Sequence, residues 1–193
     1  MRQRPAADQR VSRAHSRGLT FIELMVTLIV MAILLSLGVP AVQEFVVNNQ
    51  TTTHTNQIVA DVAFARSQAL ALSNSVRISA TGGQWKDGWL IASDGDQNGL
   101  INGAGERADA AIRQQEAVST DFQVAVVDAG GTALTSLWFN RLGAGVQKLP
   151  GGVTVDFPVT VTITRPDGDT DKSKTVCVAA SGVAIARKGV VSC

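Results

Sequence analysis

The sequence is short of the side chains on which most enzyme chemistry runs. Its 193 residues hold two histidines and two cysteines, and beyond the first eighteen residues His54 is the only histidine. No cysteine or acid stands near His54 at metal-ligand spacing, so it reads as a surface or interface residue rather than a ligand. A nucleophile elbow of the Gly-x-Ser-x-Gly kind is missing. The glycines Gly99, Gly103 and Gly105 follow acids that would repel phosphate, and they lack the strand-to-helix setting of a phosphate loop. There is no internal repeat and no low-complexity tract. Charge is also scarce: 17% of residues are charged and 45% apolar, which points to one segment built for lipid. A chain of this length has room for one core-bearing domain and an appendage.

The little charge there is has an uneven distribution. Residues 1–18 carry Arg2, Arg4, Arg10, Arg13 and Arg17 against Asp8 alone, a net +4, and the remainder is left with −3. A mildly acidic body argues against a protein whose main work is gripping phosphate backbones. Trp85, Trp89 and Trp138 accordingly read as core or strand-edge packing, not as a base-stacking platform.

Residues 19–39 are almost continuously apolar, interrupted only by Thr20, Glu23, Thr27 and Ser36. As a helix they reach roughly 30 Å, the thickness of a bilayer's hydrocarbon core. Arginines flank this run on its N-terminal side only, which predicts a cytoplasmic leader and an exported body. A cleaved secretory signal would need a small-residue site after the run, and Pro40-Ala41-Val42-Gln43 leads instead into more helical sequence. An ordinary signal anchor leaves Glu23 unexplained, and an intramembrane carboxylate is costly and by default functional.

The stretch Arg17-Gly18-Leu19-Thr20-Phe21-Ile22-Glu23-Leu24 resembles the type IV prepilin motif: a glycine, a hydrophobic residue, and a glutamate fifth after the cut. Leu19 departs from the more usual Phe or Met. The resemblance implies that a prepilin peptidase cuts after Gly18 and methylates Leu19. It also implies that Glu23 pairs during assembly with the N-terminal amine of a neighbouring subunit, whose charge would otherwise be buried bare in an apolar bundle. Pro40, the twenty-second residue after the cut, falls where many pilins carry a helix-kinking proline, and Gly38 weakens the helix further. The implied partners are the peptidase, other pilins or pseudopilins of one filament, and an inner-membrane assembly platform.

Beyond the apolar run, Ile58, Val62, Ala65, Ala69 and Leu72 recur at helical spacing and predict a stripe packed under a globular domain. Residues 48–54 form a polar run between lipid and domain. From residue 75 the pattern turns to short strand-like runs over 75–80, 88–93, 111–118, 122–127, 136–140, 153–157, 159–165, 175–180 and 183–187. The expected fold is α+β: a long N-terminal transmembrane spine helix carrying an antiparallel, sandwich-like β domain. The expected segments are a cleaved leader 1–18, a transmembrane half-spine 19–42, a periplasmic half-spine 43–74 and a β-rich domain 75–193. A helical spine, Gly88-Trp89, an acidic glycine-rich loop ending in Gly105-Glu106, and a C-terminal part holding Cys177 and Cys193 together resemble the GspH/FimT family of minor pilins and pseudopilins. That resemblance implies a structural subunit that helps to prime a type IV pilus or a type II secretion pseudopilus.

Three further features bear on function. Cys177 and Cys193 both fall in the exported part, where an oxidising periplasm favours a disulfide; two unpaired thiols are the alternative. Asp94, Asp96 and Asn98 sit like the first ligands of an EF-hand calcium loop. The closing glutamate is due at Gly105, with Glu106 one residue late, and a plain acidic turn accounts for the same residues. No other cofactor is suggested. Some FimT-like proteins resemble DNA receptors carrying Gly-Arg-x-Arg between the C-terminal cysteines. Here that stretch reads Gly182-Val183-Ala184-Ile185 before Arg187 and Lys188, so DNA binding, the alternative function, lacks its arginines.

Overall fold

The computed structural model describes residues 20–95, 109–118, 121–148 and 154–193. The chain divides into two compact units, Met1–Gln43 and Glu44–Cys193. Helix α1 (Phe21–Leu72) is 52 residues long. It ends at Ser73, whose positive φ of 54° turns the chain into the first strand.

Among the described residues eight strands follow. β2 (Trp89–Asp94), β1 (Ser75–Ala80), β3 (Ala110–Gln115) and β5 (Ser136–Phe139) form one antiparallel sheet, in the order β3-β2-β1-β5. β4 (Gln123–Val127), β6 (Val159–Thr164), β7 (Lys174–Val178) and β8 (Ala184–Lys188) form the second, in that order. The strands arise from two-residue alternation: in β1, Val76 and Ile78 point into the core while Arg77 and Ser79 face away. Gly88 sets the entry to β2, because its φ is +93° and a Cβ there would collide with the main chain of Gln115 and Glu116.

One core serves the helix and both sheets. Ile58, Val62, Ala65 and Ala69 of α1 are buried with Ile78, Trp89 and Ile91 of the first sheet and Val161, Ile163 and Val176 of the second. The void where these surfaces meet measures about 10 Å³, at the limit for a single water, so the layers are closely packed. Trp85 and Trp89 lie in this core, whereas Trp138 is covered on the outer side by Arg77, whose guanidinium carbon sits 5.3 Å from the ring centre.

Two expectations need correcting. Leu72 is 46% exposed and does not extend the buried stripe, because the helix unwinds one residue later. The run 153–157 is not a strand over its described part. Thr154 forms an isolated bridge to Lys148, the Val155 N–H bonds to Gln147, and the Asp156 carbonyl accepts from Ala129. Its hydrogen bonds thus go to two different loops, and Pro158 has no N–H to continue a ladder. Separately, His54 is half-buried, with its ring edge-on to Phe122 at 5.1 Å. Burial lowers its pKa.

Asp61 lies on the buried face of α1 and is 1% exposed. Its Oδ2 accepts from Trp89 Nε1 at 2.9 Å and from Gln57 Nε2 at 3.1 Å, and its Oδ1 from Arg113 Nη1 at 2.9 Å. The carboxylate therefore fastens the helix to β2 and β3. Asp61→Ala should leave the buried Trp89 indole N–H without an acceptor and cost about 2 kcal/mol, with the partly exposed Arg113 regaining water. Asp61→Asn, which keeps an acceptor, should lose less. Urea unfolding of the full chain in detergent, followed by far-ultraviolet circular dichroism, measures both; an alanine variant as stable as wild type would refute the assignment.

Candidate assembly site

Among the described residues, one helix is long and apolar enough to cross a membrane, with a mean hydropathy of 2.5 over its best 18-residue window and none of that window buried. Its start is set by Thr20. The Glu23 N–H donates to Thr20 Oγ1 at 3.3 Å, and the Leu24 N–H donates to the Thr20 carbonyl at 3.1 Å. Thr20 is thus the N-cap, and Thr20-x-x-Glu23 has the spacing of a capping box, with the carboxylate in the first turn, where the helix dipole favours negative charge.

The other polar groups in the run satisfy themselves. Thr27 Oγ1 donates to the Leu24 carbonyl at 2.8 Å and Ser36 Oγ to the Ile33 carbonyl at 2.7 Å, so neither hydroxyl is bare in lipid. Pro40 lies inside α1 and withholds an N–H from the Ser36 carbonyl. The Glu23 carboxylate, by contrast, makes no hydrogen bond or ion pair among the described residues. Gly18 and Leu19 lie outside them.

A second cluster begins directly after the apolar segment. Arg165, whose side chain is fully buried, sends Nη2 to Glu44 Oε2 and to Asp167 Oδ2, both at 2.8 Å, and Nη1 to Asn48 Oδ1 at 2.6 Å. Lys172 Nζ reaches Glu44 Oε1 at 3.1 Å and Asp169 Oδ2 at 3.4 Å, and Lys174 Nζ donates to Thr52 Oγ1 at 2.9 Å. The β6–β7 connection is thereby fastened to one helix face built from Glu44, Asn48 and Thr52. Arg165, then Lys172, hold the Glu44 carboxyl below its ordinary pKa. Arg165 does the same to Asp167, helped by the Asp169 N–H. The sequence reading passed over this cluster; its signal is the i, i+4, i+8 recurrence of polar residues within the run 48–54 and the glutamate before it.

The remaining sequence-predicted sites are placed as follows. Cys177 on β7 and Cys193 form a disulfide with Cα atoms 5.6 Å apart. Asp94 ends β2 and is buried, while Asp96, Asn98 and Glu106 lie outside the described residues. Of the four basic residues near the C-terminus, Lys174 and Lys188 stand directly opposite each other on β7 and β8. Lys172 is paired with acids and Lys174 is bound to the helix, and Arg187 and Lys188, consecutive on β8, point to opposite faces of their sheet.

A family model described as type II transport protein GspH matches residues 54–182. The chain belongs to the GspH family. A model of the prokaryotic N-terminal methylation motif also matches, over residues 13–39. No curated protein matches the chain. Among solved structures, the type IV minor pilin FimU of Pseudomonas aeruginosa is similar at a TM-score of 0.54 and 19% identity, covering 72% of this chain and 89% of that one. The minor pseudopilin EpsH of the Vibrio cholerae type II secretion system is similar at a TM-score of 0.52 and 9% identity, covering 76% and 99%. These likenesses bear on fold: one long apolar N-terminal helix with antiparallel sheets. As a GspH-family member the chain is a minor pilin or pseudopilin of a type IV pilus or a type II secretion pseudopilus.

The electrostatics of the Glu44 cluster give a pH dependence. Glu44 and Asp167 titrate lower when folded than when unfolded, so their contribution is fully present above the unfolded values and is lost as pH falls through the folded ones. Stability should therefore decline below about pH 4.5, the ordinary value of Glu44. Glu44→Gln should flatten that acid limb and leave the slope near neutrality unchanged. Urea midpoints recorded across acid and neutral pH decide this, and identical acid limbs in variant and wild type would count against it.

Proposed function

We propose that the chain is a structural subunit that helps to prime and assemble its filament, and that Glu23 sets its register there. The chain is made as a precursor whose basic leader, residues 1–18, stays in the cytoplasm. It is anchored in the inner membrane by residues 19–42 and carries its β domain in the periplasm. A prepilin peptidase cuts after Gly18 and methylates Leu19. The α-amino group so created is a cation at the head of an apolar helix, and the Glu23 carboxylate of an adjacent subunit neutralises it. Pro40 lets the spine bend between its two halves.

The observation that carries this reading is the chemistry of the first turn. Thr20, Thr27 and Ser36 each find a backbone partner within α1, and only Glu23 presents an unmatched charge from an exposed apolar helix. In lipid such a carboxylate is expensive unless a cation meets it.

Gly18→Glu should leave only precursor, because bulk and charge at the scissile position block the peptidase. Glu23→Ala should still be inserted and cleaved, the segment being more apolar, yet its recovery in sheared filaments should fall about tenfold or more, the loss expected for a couple of kcal/mol at a buried pair. Immunoblots of membranes and sheared filaments separate the two steps. Native protein that keeps residues 1–18, or equal recovery of Glu23→Ala and wild type, would overturn the proposal.

A further inference from the structure

A groove on the β domain opens between α1 and the start of β8, with a volume of about 210 Å³. Its walls are Val59, Ala63, Ser67 and Leu70 from the helix and Val183 and Ala184 from the edge of the second sheet, and Arg66 lies among them. The surroundings are unusually apolar for open surface: Leu70 is 49%, Leu142 74% and Val183 41% exposed. Arg66 has no hydrogen bond or ion pair among the described residues, and its Nε is buried without a partner.

The position of Arg66 is built rather than incidental. Two glycines press on its stem: a Cβ at Gly143 would stand 2.9 Å from Arg66 Cγ and 3.2 Å from Nε, and one at Gly182 would stand 3.2 Å from Cδ. Both glycines have positive φ, 73° and 77°. The cradle holds the guanidinium stem against two tight turns while the groove brings no anion to meet it. A buried donor left bare is costly. A complement that supplied a carboxylate would recover that cost, and a guanidinium matches a carboxylate two bonds at a time.

We infer that this groove docks a neighbouring subunit of the same filament through an aspartate or glutamate side chain flanked by small apolar residues. The charge selects an anion, and the exposed leucines and valine select one that arrives on an apolar surface, which excludes free phosphate. β8 is the outer strand of its sheet, so its free edge borders the groove and offers main-chain partners to an extended segment. The inference rests on the chain being a filament subunit, and adds a contact in the β domain to the one at Glu23.

The test uses the full chain in its native cells, with a photo-reactive amino acid at Ser67 or, as a control for filament membership, at Val30 in the apolar segment. Ultraviolet light should give an adduct from Ser67 with another pilin-class subunit, mapping by mass spectrometry next to an acidic residue. Arg66→Glu should reduce that adduct about tenfold, and the near-isosteric Arg66→Gln by severalfold, while the Val30 adduct persists. If Arg66→Glu fails to accumulate, Arg66→Gln carries the comparison. A Val30 adduct without one from Ser67, a Ser67 adduct with lipid or an unrelated protein, or a Ser67 adduct undiminished in both variants overturns the inference. Absence of filament adducts from both positions overturns the assembly reading itself.

Discussion

Everything in this chain follows from asking one helix to serve two solvents. Residues 21–46 of α1 keep large apolar side chains on the outside, and from Thr51 to Ala69 the same helix turns an inward face to a protein core. In lipid the requirement is that no polar group be left bare, and the short hydroxyls meet it by bonding back to their own helix. Under the sheets the requirement is close approach. Ala65 and Ala69, both fully buried, leave room for both sheets to close over the helix.

Packing alone would leave the β domain weakly oriented on such a smooth rod. Two polar fastenings supply direction. Asp61 binds Trp89 and Arg113 of the first sheet, and Glu44 with Asn48 binds Arg165 beside the second. A buried ion pair is a poor source of net stability but a good source of specificity, since a wrong rotation of the helix leaves a charge uncompensated. The Cys177–Cys193 bond closes a loop of 16 residues across the outer side of the second sheet, which the chain-entropy account values at about 3 kcal/mol.

Most of the architecture was legible because it depends on local periodicity. The 3.6-residue recurrence of Ile58, Val62, Ala65 and Ala69 and the two-residue alternation of Val76 and Ile78 name their elements directly. What failed was non-local. The run 153–157 looks like a strand until its hydrogen bonds are seen to go elsewhere, and Leu72 keeps the helical spacing but falls at the frayed end. The polar anchors were hidden for a different reason. Asp61 sits on the apolar stripe between Ile58 and Ala65, a position where a carboxylate must have a buried partner, but its partners are Trp89 and Arg113, up to 52 residues away. Arg165 closes the candidate strand 159–165 without any sign that it is wholly enclosed. Glu23 stood out in the sequence because lipid permits so few exceptions, whereas Arg66 gives no signal in sequence, since a half-exposed helical arginine is ordinary until the turns at Gly143 and Gly182 are seen to hold it.

The two fastenings stand seventeen residues apart on α1, about 25 Å of helix. That spacing has a mechanical meaning. A tug on the β domain along the helix axis meets both attachments together, one in the first sheet and one just beyond the end of β6 in the second, and loads their hydrogen bonds in shear. A single attachment would act as a pivot and yield by peeling, one bond at a time. The domain is therefore held at two separated points along the helix, and force applied to it passes into the rod rather than levering the sheets away from it.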